Sequence, residues 1–222
     1  EVVFCSRPTL MEVYTGGSGT AVSVLTSMPT YPNSPDATFV LSAFNSRQAY
    51  PDDSHEQYGA RMSGLFFPPT TGAWIFYISS DDASQLFVNP NGAGSVGKQL
   101  IAREDGCCRG LAAIPSAPIN LVADQPYYVE LLYREGGGGD YGQVAVKLQS
   151  DPAPVTTAHI IQGSMLPLGA ATPANLLGQV TLTEQPQSQT ATENHTVCLN
   201  VAGTNPLGFA QCYRWVDNGV QI

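Results

Sequence analysis

The chain has 222 residues, 18 acidic and 9 basic side chains, and a formal charge of −9. The hydrophobic fraction of 43% argues against wholesale disorder. The few scattered basic residues argue against nucleic acid or anionic membrane as partners. Charged residues make up only 12%, leaving Ser, Thr, Asn, Gly and Pro to carry the polar surface, as in many extracellular β proteins. No apolar run approaches the ~18 residues that span a bilayer. The opening Glu1-Val2-Val3-Phe4-Cys5 has neither the basic nor the apolar region of a signal peptide, and a processed, mature terminus is the expectation.

Helical periodicity is nearly absent, apart from a short turn near Ala21–Thr26. Strand alternation is widespread. The clearest case is Gly72–Ser79, which places Trp74, Phe76 and Ile78 on one face and Ile75 and Tyr77 on the other. Further strands are predicted at Gln85–Val88, Lys98–Ala102, Ile119–Val122, Tyr127–Tyr133 and Gln143–Gln149. Turn signals every ~8–12 residues indicate an all-β, antiparallel β-sandwich rather than βαβ units. The texture changes at Ser150-Asp151-Pro152-Ala153-Pro154, so a domain over residues 1–150 with an N-terminal arm is expected to give way to a linker over 151–178. A second set of strands follows over 179–222: Gln179–Thr183, Thr196–Val201 and Gln211–Val216, with a hairpin signal at Asp217-Asn218-Gly219. Three strands do not bury a sandwich core alone. The expectation is therefore either a chain cut from a longer polypeptide or a neighbouring copy that supplies the missing strands.

Residues ~8–150 resemble the protective-antigen-type (PA-fourteen) domain, a lectin-like β-sandwich family. The resemblance rests on Glu12-Val13-Tyr14 with Gly16-Gly17-Ser18-Gly19, Tyr31-Pro32-Asn33, Tyr58-Gly59-Ala60-Arg61-Met62-Ser63-Gly64, and Pro68-Pro69-Thr70-Thr71-Gly72-Ala73-Trp74-Ile75-Phe76. It continues through Ser79-Ser80-Asp81-Asp82 and Glu135-Gly136-Gly137-Gly138-Gly139-Asp140, and the order and spacing together make it specific. Residues 179–222 resemble the first half of a bacterial immunoglobulin-like domain, through Thr183-Glu184-Gln185-Pro186, the Val197/Leu199/Val201 alternation and Tyr213-Arg214-Trp215-Val216-Asp217-Asn218-Gly219.

The first resemblance implies a function. In lectin-type members an aspartate pair joined by a cis peptide holds Ca2+, which points to Asp81 and Asp82. Calcium takes six to eight oxygens, and Asp140, at the end of the glycine run, is the candidate third carboxylate. Gly138 and Gly139 let the backbone approach the ligand closely. Tyr141 is a candidate stacking platform for a pyranose, and Gln143 a candidate hydrogen-bond donor. The bland alternative is a solvated Asp-Asp turn and glycines that merely bridge two strands.

Catalytic motifs fail on inspection, and no enzyme is expected. His55-Glu56-Gln57-Tyr58-Gly59 lacks the second histidine of a zincin, and Ala93-Gly94-Ser95-Val96-Gly97 falls one glycine short of a nucleophile elbow. The glycine run has no following Lys and opens no helix, so it is not a phosphate cradle. Cys107-Cys108 either form a disulfide with each other or bond elsewhere separately, Cys5 being a plausible partner for one of them. Strand alternation points Cys198 and Cys212 outward, away from a cross-sheet bridge, so as disulfide candidates they either meet each other near the strand ends or bond a neighbouring copy. Asn194-His195-Thr196 is a glycosylation sequon.

Three readings follow. The first is a calcium-dependent carbohydrate-binding and adhesion module of a secreted or cell-surface protein, with a glycan as partner. The second is a structural subunit of an extracellular filament or stalk, joined to copies of itself by strand complementation. The third is a non-catalytic targeting domain appended to an enzyme.

Overall fold

The computed structural model describes residues 2–4, 9–162, 181–184, 202–204, 211–213, 216–217 and 220–221, with side chains over 9–162. In chain order the elements are β1 (Val2–Phe4), β2 (Thr9–Thr15), α1 (Val22–Thr26), β3 (Ala37–Leu41), β4 (Tyr58–Phe66), β5 (Gly72–Asp81), β6 (Ser84–Val88), β7 (Gln99–Glu104), β8 (Ile119–Leu121), β9 (Tyr127–Glu135) and β10 (Tyr141–Leu148). The short strands β11 (Thr181–Glu184), β12 (Ala202–Thr204), β13 (Gln211–Tyr213), β14 (Val216–Asp217) and β15 (Val220–Gln221) follow. The chain divides into two compact units: Arg7–Ser164, and Glu1–Ser6 together with Met165–Ile222.

The first unit is an all-β sandwich. A six-stranded sheet in the order β3-β2-β4-β9-β6-β7 faces a three-stranded sheet in the order β10-β5-β8, and every pairing is antiparallel. The alternation of β5 works as its sequence requires: Trp74, Phe76 and Ile78 enter the core with Met62, Leu131 and Val144. Phe66 meets Trp74 and Phe76 edge-on, at ring-centroid distances of 5.4 and 5.6 Å. Removing a side chain such as Phe76 from water stabilises the fold by roughly 1.5–3 kcal/mol. On the opposite face of the larger sheet, α1 seats Val22 and Leu25 against Tyr14, Ala83 and Leu132.

Two crossovers between the sheets lie side by side. Asp82 and Ala83 carry the chain from β5 to β6, and Gly136–Asp140 carry it back from β9 to β10. They are tied together: the Asp82 amide donates to the Arg134 carbonyl at 2.8 Å, and the Arg134 amide to the Ala83 carbonyl at 2.9 Å. The loop after β7 runs along the edge of β5 that β8 leaves open beyond Trp74. Five bonds hold it there: Ser116 N to Phe76 O (2.8 Å), Phe76 N to Ser116 Oγ (3.0 Å), Ile78 N to Ile114 O (3.4 Å), Ser79 Oγ to Arg109 O (2.7 Å) and Cys108 N to Ser80 O (2.9 Å).

The first unit extends past residue 150, where the sequence suggests a linker. Ile160 and Ile161 are buried, Ile161 donates to Val144 O at 3.0 Å, and Phe44 donates back to Ile161 O at 2.9 Å. In the second unit, β1 pairs with β13, β11 with β12, and β14 with β15. β14 and β15 pair antiparallel, Asp217 opposite Val220; Asn218 and Gly219 of the expected hairpin signal lie outside the described residues. Val2–Phe4, read from sequence as an arm of the first domain, pairs instead within the second unit. Cys5, Asn194 and Cys198 lie outside the described residues, as does the Cys212 side chain.

Candidate functional site

The two crossovers bring acids together. Asp81 closes β5, Asp82 begins the crossover, and the peptide between them is cis. Glu135 closes β9. One carboxylate oxygen from each of Asp81, Asp82 and Glu135 lies within 4.8 Å of the others. Asp81 and Glu135 are buried, Asp82 half-buried.

The local chemistry leaves this group short of positive charge. Among the described residues, none of the three carboxylates forms an ion pair. The nearby Arg134 guanidinium forms no ion pair with them: its Nε and Nη2 donate to loop carbonyls, Gly19 O at 2.8 Å and Gly17 O at 2.7 Å, and its buried Nη1 has no partner among the described residues. Asp81 Oδ2 accepts from the Gly139 amide and Asp82 Oδ2 from the Gly136 amide, each at 3.0 Å. Glu135 is fully buried and, among the described residues, neither of its oxygens has a hydrogen-bond partner. Burial first, then the carboxylates of Asp81, Asp82, Asp140 and Glu56, push the Glu135 carboxyl up to about 8. Burial and then Asp82 raise Asp81 above the ordinary carboxylate range. An unpaired buried carboxylate costs several kcal/mol. A cluster of this kind is relieved by protons or by a cation, and its all-oxygen donor set suits a hard divalent ion such as Ca2+.

The glycine run is shaped to the acids. A Cβ on Gly139 would strike the Asp81 carboxylate; one on Gly136 would come within 3.0 Å of Asp82 Oδ2 and 2.8 Å of Thr20 Cγ2. Gly138, at φ +117°, donates its amide to the Glu56 carboxylate at 3.2 Å. It is thus the amides of this loop that meet carboxylates.

The other residues singled out from sequence have defined places. Asp140 is fully buried and lies outside the three-carboxylate group. Its Oδ1 accepts from the Tyr58 hydroxyl and its Oδ2 from the His55 amide at 3.2 Å, while Tyr58 and Tyr133 share a hydroxyl contact of 2.9 Å. Burial raises the Asp140 carboxyl and the Tyr58 bond draws it back. Tyr141 stands opposite Asp81 in the β10–β5 register, and one face of its ring is covered by the Arg47 guanidinium, 5.5 Å from the centroid. The Gln143 side-chain amide donates to Asn45 Oδ1 at 3.1 Å. Cys107 and Cys108 are disulfide-bonded to each other, exposed, and each Sγ lies within 4.8 Å of an Asp81 carboxylate oxygen.

Sequence reading missed Glu135 as a member of the cluster. Continuing the alternation of β9 inward from Leu131 and Tyr133 reaches it, but it stands at the head of a glycine run and reads as a loop flank. It also missed Asp53, Glu56 and Gln57, whose side chains meet the Asp140 amide, the Gly138 amide and the Gly136 carbonyl; no local signal marks them.

The PA14 domain family matches residues 6–154. Among solved structures, the chain is similar to the PA14 sugar-binding domain from an RTX adhesin, at 18% identity over 72% of this chain and 99% of that one, TM-score 0.49. It is also similar to the epithelial adhesin 6 A domain from Candida glabrata in complex with Galb1-3GlcNAc, at 16% identity over 77% and 98%, TM-score 0.46. A beta-glucosidase from Kluyveromyces marxianus in complex with glucose shares 15% identity over 64% of this chain and 16% of that one, TM-score 0.42. A comparison with curated proteins finds no match.

Proposed function

Because the chain belongs to the PA14 domain family, we propose that it is a calcium-dependent carbohydrate-binding module of a secreted or cell-surface protein, acting in adhesion by binding rather than turnover. One observation carries the reading: the fully buried Glu135, both oxygens without a partner among the described residues, beside the carboxylates of Asp81 and Asp82. Asp81, Asp82 and Glu135 would hold the ion, with Gly136 and Gly139 fixing the two aspartates. Calcium held there would supply a hard, oxygen-seeking centre for a sugar's hydroxyls. Gly138, Gly139 and Tyr141 would frame the sugar, and Asp140 would brace the loop from behind through Tyr58 and His55. The Cys107–Cys108 disulfide supports an oxidising, extracellular setting. Among the described residues no helix is long and apolar enough to cross a membrane.

Thermal melting with calcium and with EDTA tests the metal, and a glycan array with calcium tests the sugar. A higher melting temperature with calcium, lost in Asp82→Ala together with array binding, is expected. Coincident melting curves with calcium and with EDTA would falsify the metal site.

A second reading, a filament or stalk subunit, is favoured by β1. Val2–Phe4 already serves as an added strand beside β13, so the same three residues of a neighbouring copy would fit that edge, next to the immunoglobulin-like segment we infer over 179–222. Sedimentation across a hundredfold concentration range tests this; a monomer throughout rules it out.

A further inference from the structure

We propose that the Cys107–Cys108 disulfide is the apolar wall of the sugar site, packing against the C–H face of a pyranose whose hydroxyls face Asp81 and Asp82. The inference rests on the carbohydrate-binding reading of the same site.

Four observations carry it. Both sulfurs lie beside the Asp81 carboxylate, yet both cysteines are exposed, so the disulfide stands at the rim of the acidic cluster rather than in the core. The ion does not explain its place: a disulfide offers no thiolate, and calcium takes oxygen. The pair is held firmly. Cys108 N bonds Ser80 O at 2.9 Å, Arg109 O accepts from Ser79 Oγ at 2.7 Å, and Gly106 N donates to Glu104 Oε1 at 2.9 Å. Arg109 also pairs with Glu104 at 3.3 Å, which anchors the loop from its far side. Finally, the chemistry around the cluster is otherwise polar. Carboxylates and backbone amides suit hydroxyls, but a pyranose also presents a C–H face that needs an apolar surface. Tyr141, the aromatic ring at this rim, has one face covered by Arg47. The disulfide is exposed, and its polarisable sulfurs can pack on irregular apolar surfaces.

The test compares wild type with the Cys107→Ser/Cys108→Ser variant. Each is titrated with calcium alone by calorimetry, then applied with calcium to immobilised glucose-, galactose-, mannose- and fucose-terminated glycans. Expected are a calcium affinity within twofold of wild type and an affinity at least tenfold weaker for the glycans that wild type binds. Glycan affinity within tenfold of wild type overturns the proposal. So does a joint loss of glycan and calcium binding, because the pair then acts on the metal rather than the sugar. Wild type that holds calcium yet binds none of these glycans removes the carbohydrate reading itself, and the wall with it. Should the variant not melt cooperatively, wild type reduced with dithiothreitol is put through the same titrations, where the same losses support the wall and the same results overturn it. The S–S bond then takes two electrons and two protons, and the reagent closes to its cyclic disulfide.

Discussion

Glu135 is the residue on which the site turns. With its carboxyl held at about 8, it carries a proton at neutral pH in the absence of a cation, and Gln is then a close mimic. Glu135→Gln should change stability in EDTA by about 1 kcal/mol or less, yet abolish the calcium-induced rise in melting temperature. Denaturant melts with and without calcium check both halves. Tyr58→Phe should behave in the opposite way. It strips a partner from the buried Asp140 carboxylate and from the Tyr133 hydroxyl, so it should cost ~1–3 kcal/mol while the calcium response survives. If Tyr58→Phe instead removes the calcium response, Asp140 belongs among the ligands. The contrast between Asp81 and Glu135 shows what is legible in a sequence. Asp81-Asp82 is visible as a motif after a strong strand. Glu135 acquires meaning only when β9 is laid across the core from β5, a relation that spans more than fifty positions and leaves no local trace.

The elements differ in legibility for physical reasons. β5 is plain in the sequence because every second residue is large and apolar. β4 is less plain, because a glycine interrupts each of its faces: Gly64 among the core-facing Tyr58, Ala60, Met62 and Phe66, and Gly59 on the side of α1. Those interruptions answer to neighbours: a Cβ on Gly59 would meet Leu25 Cβ at 2.7 Å, and one on Gly64 would meet the Phe44 ring at 3.1 Å. Gly59→Ala should therefore lift α1 from the sheet and cost ~1–3 kcal/mol, measured by urea unfolding. Gly139→Ala is expected to leave urea stability nearer to wild type but weaken calcium binding at least tenfold, since its methyl displaces the Asp81 carboxylate. Calorimetric titration with calcium decides that point.

At the scale of the molecule, residues 7–164 carry their own core and both crossovers. A fragment of that span should unfold in one transition and show the calcium response of the full chain; one ending at residue 150 should be less stable, having lost Ile160 and Ile161. The Pro-rich stretch after Ser150 hides this, because two isoleucines behind a polar segment give no period to read. The loop that bears the disulfide has an effect beyond ligand contact. It occupies the margin of β5 beyond Trp74, while Phe44, Asn45, Ile160 and Ile161 lie along β10. The small sheet therefore offers little bare backbone to a stranger, and templated growth of the first unit is steered to β3 and β7, the outermost strands of its larger sheet.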